Sequence, residues 1–291
     1  MKSQSDPSTE LLQRGALYVV ATPIGNLGDL SERARQVLSS VDRIAAEDTR
    51  NSGGLLSHFG IRTPLVALHD HNESQVAAQW VAALQQGQTL ALISDAGTPL
   101  ISDPGYVLVR EARAAGCEII AVPGPCAAIA ALSIAGLASD SFVFCGFLPA
   151  KSAARRERIA ALSQEARNVI LYESSHRIES CAKDLADLLG PRKVMLAREI
   201  TKRFEQSIVC SADALPDWLA ADANRLRGEF VLILEAAQET QAEDAEAERV
   251  LRILLAELPA ARAAKVAASL TGLKKNALYA MALKISESPD G

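Results

Sequence analysis

From residue 15 onward the chain alternates short apolar runs with longer stretches whose apolar positions recur every three or four residues. A brief apolar run that ends at glycine, proline, serine or aspartate reads as a strand, and the longer periodicity reads as a helix with one buried face. The pattern predicts strands at 16–21, 43–46, 65–68, 89–94 and 118–122, with helices at 29–39, 73–85 and 104–115 between them. Asn72 precedes the second helix and Gly116 follows the third, where start and stop signals belong. For the third helix, Asp103 reads as the N-cap and Pro104 as the first helical residue. Strands and helices in this alternation imply an α/β fold.

The character changes after Pro123-Gly-Pro125. An alanine-rich apolar stretch at 126–138 is too short to span a bilayer and reads as a buried helix. A second set of strands is expected at 141–147, 168–172, 193–197, 205–209 and 229–234, with helices at 153–164 and 175–189, the latter capped by Ser174 or Ser175. Glutamates at 239–248 suggest an acidic linker, and 247–286 is helical in pattern, broken at 270–276 around Gly272 like a helix-turn-helix. The organisation expected is therefore a flexible tail (1–14), an N-terminal α/β domain (15–122), a C-terminal α/β domain (123–237), an acidic linker (238–248) and a helical appendage (249–291).

Composition narrows the function classes. The 291 residues are 49% apolar and 22% charged, as in a soluble globular protein of more than one core. Residues 1–14 are polar and lack an apolar core, so they read as a tail and not as a signal peptide. Five scattered cysteines (117, 126, 145, 181, 210) form no C-x-x-C pair and point to the reducing cytoplasm. A formal charge of −5 argues against indiscriminate coating of nucleic acid, while leaving room for local basic patches. Aromatic residues, at 4%, are too few for an extended base-stacking platform.

Neither G-x-G-x-x-G nor G-x-x-x-x-G-K-[ST] occurs, which disfavours a nicotinamide dehydrogenase or a P-loop enzyme. The chemistry instead gathers in loops at strand ends: 22–28, 47–50, 69–72, 94–106 and 122–126. If the strands are parallel, all five emerge on one edge of the sheet, where open α/β folds bind ligands. Glu47, Asp48, Arg50 and His69 are the candidate catalytic residues, because titratable groups at one rim exceed what turn formation needs. His69 and His71 could share a metal with Asp70 or Glu73, but no third histidine sits at ligand spacing, so no metal is expected. Basic residues cluster around Arg155-Arg156, Lys202-Arg203, Arg225–Arg227 and Lys274-Lys275. Of these, Arg155, Arg156, Lys202, Lys274 and Lys275 are the candidate contacts of a phosphate-tracking, nucleic-acid-binding surface.

The ordered series of motifs is more specific than any one of them. It runs Thr22-Pro-Ile-Gly-Asn26, Ala45-Ala-Glu-Asp-Thr-Arg50, Leu68-His-Asp-His-Asn72, Ser94-Asp-Ala-Gly-Thr-Pro99, Ser102-Asp-Pro-Gly105 and Pro123-Gly-Pro-Cys-Ala127. It continues with Gly146-Phe-Leu-Pro149, Tyr172-Glu-Ser-Ser-His-Arg177, Ala197-Arg-Glu-Ile-Thr-Lys202 and Gly228-Glu229. The series resembles the tetrapyrrole-methylase-like (class III) S-adenosylmethionine methyltransferases, and within them the ribosomal branch. That resemblance implies two α/β domains with the cofactor cleft between them and S-adenosyl-L-methionine as cofactor. It implies methyl transfer to the ribose 2′-oxygen of a cytidine in the decoding region of 16S rRNA, within the small ribosomal subunit, by a cytoplasmic homodimer. The cofactor contacts it implies are Pro23, Gly25, Asp95, Ala96, Gly97, Thr98, Ile101, Ser102, Pro123 and Ala127, joined from the second domain by Phe147, Leu148, Tyr172, Ala197, Arg198 and Glu199. Methylation of a tetrapyrrole or another class III substrate, or a non-catalytic ribosome-binding factor on the same fold, are the alternatives.

Overall fold

The computed structural model describes residues 12–68, 73–237 and 239–287; the His69–Asn72 motif, most of the expected tail and the last four residues lie outside them. Five short strands, β1 (Ala16–Val20), β2 (Arg43–Ala46), β3 (Leu65–Ala67), β4 (Leu90–Ile93) and β5 (Glu118–Val122), form one sheet in the order β3-β2-β4-β1-β5. Every pairing in it is parallel. Central strands β1, β2 and β4 are almost wholly buried, which is why they read as unbroken apolar runs without alternation. Helices α1 (Glu32–Ser40) and α2 (Thr49–His58) belong with one face of this sheet, α3 (Glu73–Gln85) and α4 (Tyr106–Ala114) with the other.

Three local expectations change here. Helix α2 was not anticipated: Gly53 and Gly54 sit inside it, and glycine is a poor helix former, yet the Asp48 carboxylate caps its start through the Arg50 amide. Helix α4 begins at Tyr106 and not at Pro104, with Gly105 in the cap position and no side-chain cap from its own segment. The capping acceptor comes from α3, where the buried Glu73 carboxylate takes the Val107 and Leu108 amides at 2.7 and 3.1 Å. Asp103 is thereby released from the role its sequence position suggests.

The second sheet has the order β6-β7-β10-β8-β9, from β6 (Phe142–Phe147), β7 (Asn168–Ser174), β8 (Lys193–Arg198), β9 (Gln206–Ser211) and β10 (Glu229–Leu234). Only β6 and β7 pair in parallel; β10 runs antiparallel to β7 and β8, and β9 to β8. Helix α5 (Ala127–Ile134) covers one face, packing Ala128, Ala131 and Leu132 on Ile170, Met195, Val231 and Ile233. Helices α6 (Ser152–Leu162), α7 (Ile178–Leu189) and α8 (Leu215–Ala220) cover the other. Strand β7 extends to Ser174, paired with Glu229, so neither Ser174 nor Ser175 caps α7; Arg177 holds that position without a side-chain cap.

The stretch expected as an acidic linker is helical from Glu239, the first turns of α9 (Glu239–Leu255). It packs with α10 (Ala260–Thr271) and α11 (Lys275–Glu287) on a core of Ala247, Leu251, Ala263, Ala264, Ala267, Leu278 and Ala282. Small side chains let the three helices approach closely. Gly272, left-handed at φ 75°, ends α10 and makes the expected turn, with Lys274 and Lys275 exposed beside it at the start of α11. Among the described residues no helix is long and apolar enough to cross a membrane.

Candidate active site

Because β1 to β5 are all parallel, the loops that follow them share one edge of the sheet. The turn after β4 ties three of them together. Thr22 and Gly97 exchange backbone hydrogen bonds of 2.9 and 3.1 Å, linking it to the loop after β1. The Asp95 carboxylate accepts from the Asp48 amide and the Asn51 side chain, both at 3.1 Å, linking it to the start of α2. Thr98 donates its hydroxyl to the Pro125 carbonyl at 3.0 Å, linking it to the crossover after β5.

Facing this edge are the ends of second-sheet strands. Between them lies a cleft of about 470 Å³, within the usual range for small-ligand sites. From the first sheet it is lined by Ile24, Glu47, Asp95 to Thr98, Ile101 to Asp103, Cys126 and Ala127. From the second come Phe147, Tyr172 to Ser175, Ile200, Lys202 and Gly228 to Val231. The Tyr172 hydroxyl accepts from the Ala128 amide at 3.1 Å, and its ring meets Phe144 and Phe147 edge-on. Burial, with Cys126 beside it, pushes the phenol well above its ordinary value, so Tyr172 acts as a neutral wall.

The two walls differ in charge. Glu47, Asp95 and Asp103 stand on the first-sheet side. Asp103 is half-buried, and burial, with Glu47 and Asp95 adding to it against a hydrogen bond from Ser94, raises its carboxyl to about 6. Opposite, Lys202 bridges Glu199 and Glu229 at 2.8 Å each. Burial pushes the Glu199 carboxyl up, but Lys202 and the Glu229 amide outweigh it and hold the group below the ordinary carboxylate value. The Lys202 stem crosses Gly25, where any Cβ would overlap it, so the two loops meet only because residue 25 is glycine.

All the non-glycine residues with positive φ among the described residues lie in the two facing loops: Leu100 (72°) and Ser102 (71°), then Glu199 (53°) and Thr201 (67°). Such conformations cost of order 1–3 kcal/mol each and cluster at ligand sites.

The cleft gathers Asp95, Ala96, Gly97, Thr98, Ile101, Ser102, Ala127, Phe147 and Tyr172 of the expected cofactor contacts. Pro23, Gly25 and Pro123 are absent from the lining, which Ile24 and Cys126 supply on those two loops. Leu148 and Ala197 are buried in the second domain, and Arg198, also buried, spends its guanidinium on the carbonyls of Arg227 and Phe204. Of the catalytic candidates, Glu47 lines the cleft, Asp48 caps α2, Arg50 projects to solvent, and His69 is outside the described residues. Among the RNA candidates, Arg155 is buried on Asp184, Arg156 pairs with Asp184 and Asp187, and Lys202 belongs to the cleft. Lys274 and Lys275 remain exposed. Sequence reasoning missed Asp103 and the segment 228–231 as lining; the Gly228-Glu229 motif was the signal for the latter.

Comparison with known proteins agrees with this architecture. Residues 16–216 match the tetrapyrrole (corrin/porphyrin) methylases, and residues 241–286 match the RsmI C-terminal HTH domain. A ribosomal RNA small subunit methyltransferase I from Pseudomonas aeruginosa is 52% identical over 277 residues, covering 94% of this chain and 98% of the relative. That from Escherichia coli O157:H7 is 54% identical, covering 93% and 96%. Among solved structures, a cobalt precorrin-4 methyltransferase of cobalamin biosynthesis shares the fold at 15% identity, with a TM-score of 0.57 over 77% of this chain and 98% of that one. With two α/β domains joined to that C-terminal helical unit, and relatives matched over nearly their whole length, the chain belongs to the tetrapyrrole methylase family and, within it, to the ribosomal RNA small subunit methyltransferases I.

Proposed function

We propose that the cleft binds S-adenosylmethionine and that the protein transfers its methyl group to the ribose 2′-oxygen of a cytidine in the decoding region of 16S rRNA. The observation that carries this reading is that one cleft holds both a cluster of carboxylates and an apolar surface. Glu47 and Asp95 supply negative charge suited to a sulfonium and an ammonium group, while Ile24, Ala127, Phe147 and Tyr172 suit an adenine. The same charge repels phosphate, so the RNA backbone stays outside and only a ribose edge enters. The relatives' name supports small-subunit rRNA as the substrate class.

When bound, the cofactor supplies a methyl group already activated by its sulfonium. The chain's own task is chiefly alignment, since orientation supplies roughly 7–11 kcal/mol and a general base about 10²–10⁴-fold, or roughly 3–5 kcal/mol. The turn at Asp95–Thr98, cross-tied to three loops, holds one side of the ligand; Phe147, Tyr172 and the Ile200–Lys202 loop hold the other. The two α/β domains meet near residue 123, and the helical appendage reaches RNA through Lys274 and Lys275. In this reading the protein works on small subunits in the cytoplasm, as a homodimer. Tritiated S-adenosylmethionine with small subunits from a modification-deficient strain tests it: label in a cytidine ribose is expected, and label elsewhere or none refutes it.

A further inference from the structure

We propose that Asp103 is the base that accepts the proton of the ribose hydroxyl during methyl transfer, an assignment that rests on the methyltransferase reading above. Its carboxyl lies on the cleft wall, on the segment between β4 and α4. Two features place it there. Glu73 caps α4 in its stead, and positive φ at Leu100 and Ser102, with Gly105 at 122°, turns the segment inward ahead of the helix.

Three neighbouring carboxylates are committed otherwise. Asp48 caps α2, Asp95 accepts from Asp48 and Asn51, and Glu229 pairs with Lys202. The Ser94 hydroxyl beside Asp103 is neutral and lowers its carboxyl without cancelling its charge, while donating to the Gly97 carbonyl at 3.2 Å. Around it stand Glu47 after β2, Asp95 on the turn and the Tyr172 phenol of β7 with Cys126 beside it; Lys202 and Glu229 lie in the same cleft. Burial among like charges raises Asp103 to about 6, so near pH 7 it is about nine-tenths ionised and more basic than an ordinary carboxylate, the compromise a general base requires.

The step balances as a single displacement. The ribose oxygen forms a bond to the methyl carbon as the carbon–sulfur bond breaks, and that electron pair returns to sulfur, leaving a neutral thioether. The hydroxyl proton passes to the Asp103 carboxylate, which releases it to water after product leaves.

The test uses the full-length protein with unmodified small subunits. The wild-type single-turnover rate is expected to rise with pH through one ionisation near 6 and then level. D103N is expected to lose that ionisation and about 10²–10⁴-fold in rate, while calorimetry finds S-adenosylmethionine affinity within about threefold of wild type and so reports an intact fold. D103E, which keeps a carboxyl on a longer arm, recovers the ionisation and part of the rate. A D103N protein with wild-type rate and pH profile overturns the assignment. So does a loss of affinity as large as the loss of rate, which makes Asp103 a residue that holds the cofactor. Wild-type protein that binds the cofactor yet labels no ribose overturns the methyltransferase reading and this assignment together, and is recognised because it needs no substitution.

Discussion

Arg155 shows how a basic cluster can mean stability where it suggests RNA. It lies on α6 with its side chain 5% exposed and its guanidinium 2.7 Å from Asp184 of α7, itself 9% exposed. Arg156 reaches the other Asp184 oxygen at 2.8 Å. Burial pushes the Asp184 carboxyl up, but the hydrogen bonds from Arg156 and Arg155 outweigh it and hold the group below its ordinary value. Asp184→Ala leaves the Arg155 charge buried without its main partner, which costs about 3–5 kcal/mol. With a urea dependence of about 2–3 kcal/mol per molar, the second domain's unfolding midpoint should fall by about 1–2 M. The double variant Arg155→Met/Asp184→Leu removes both charges and should return to within about 1 kcal/mol of wild type, because desolvation of the pair offsets most of its attraction. Paired denaturation curves check the energies, and binding of small subunits across a salt series checks the RNA role. Arg155→Met should leave that salt slope unchanged, since a buried guanidinium neutralises no phosphate. A variant with an unshifted midpoint and a shallower salt slope would falsify this account and restore Arg155 as an RNA contact.

Other expectations follow from the same structure. Glu73→Ala strips the buried acceptor from two α4 amides and should destabilise the first domain by about 1–3 kcal/mol, read by urea denaturation. Gly25→Ala puts a Cβ into the Lys202 stem at a φ of 143°, displacing Lys202 from Glu199 and Glu229; calorimetry should find cofactor affinity reduced about tenfold or more. Lys274→Glu/Lys275→Glu should weaken small-subunit binding and lower its salt slope by about 1 per lysine. The same change should raise thermal stability, because anions suit the start of α11 better than cations do. Asp103 titrates near 6 in the folded protein and near 4 unfolded, so the folded state holds the extra proton and stability falls as pH rises through that window. D103N, which cannot ionise, should therefore melt higher than wild type at pH 8 and by a smaller margin at pH 5; equal margins would refute the raised value.

Much of the fold was legible because it rests on local signals. Arg43–Ala46, Glu118–Val122 and Glu229–Leu234 have the expected bounds, since each apolar run stops where a turn residue or charge stops it. What escaped depends on partners far along the chain. Glu73 caps a helix that begins 33 residues later, so Asp103 looked like a cap when it faces a cleft. Arg155 looked like an RNA contact until Asp184, 29 residues away, folded onto it. Helix α2 was hidden by Gly53 and Gly54, whose cost in propensity is offset by packing of Leu56 in the first core. At the site, the Asp95–Thr98 turn was readable as a strand end. The lining from Gly228 to Val231 was not, because it depends on β10 running antiparallel between β7 and β8.

The crossover at 123–128 is tied on both sides: Thr98 of the first sheet holds the Pro125 carbonyl, and Tyr172 of the second holds the Ala128 amide. The first tie belongs to the first sheet and the second to the other, so a swing of one sheet against the other breaks neither bond only if it turns at Cys126 and Ala127 between them. The hinge of the jaw is thereby confined to two residues. With the sheets held so closely to one pivot, ligand and spent product exchange past the loop around Lys202 at the cleft. Amide exchange at Ala128 should be as slow without ligand as with it, whereas exchange at Thr201 and Lys202 should slow on loading.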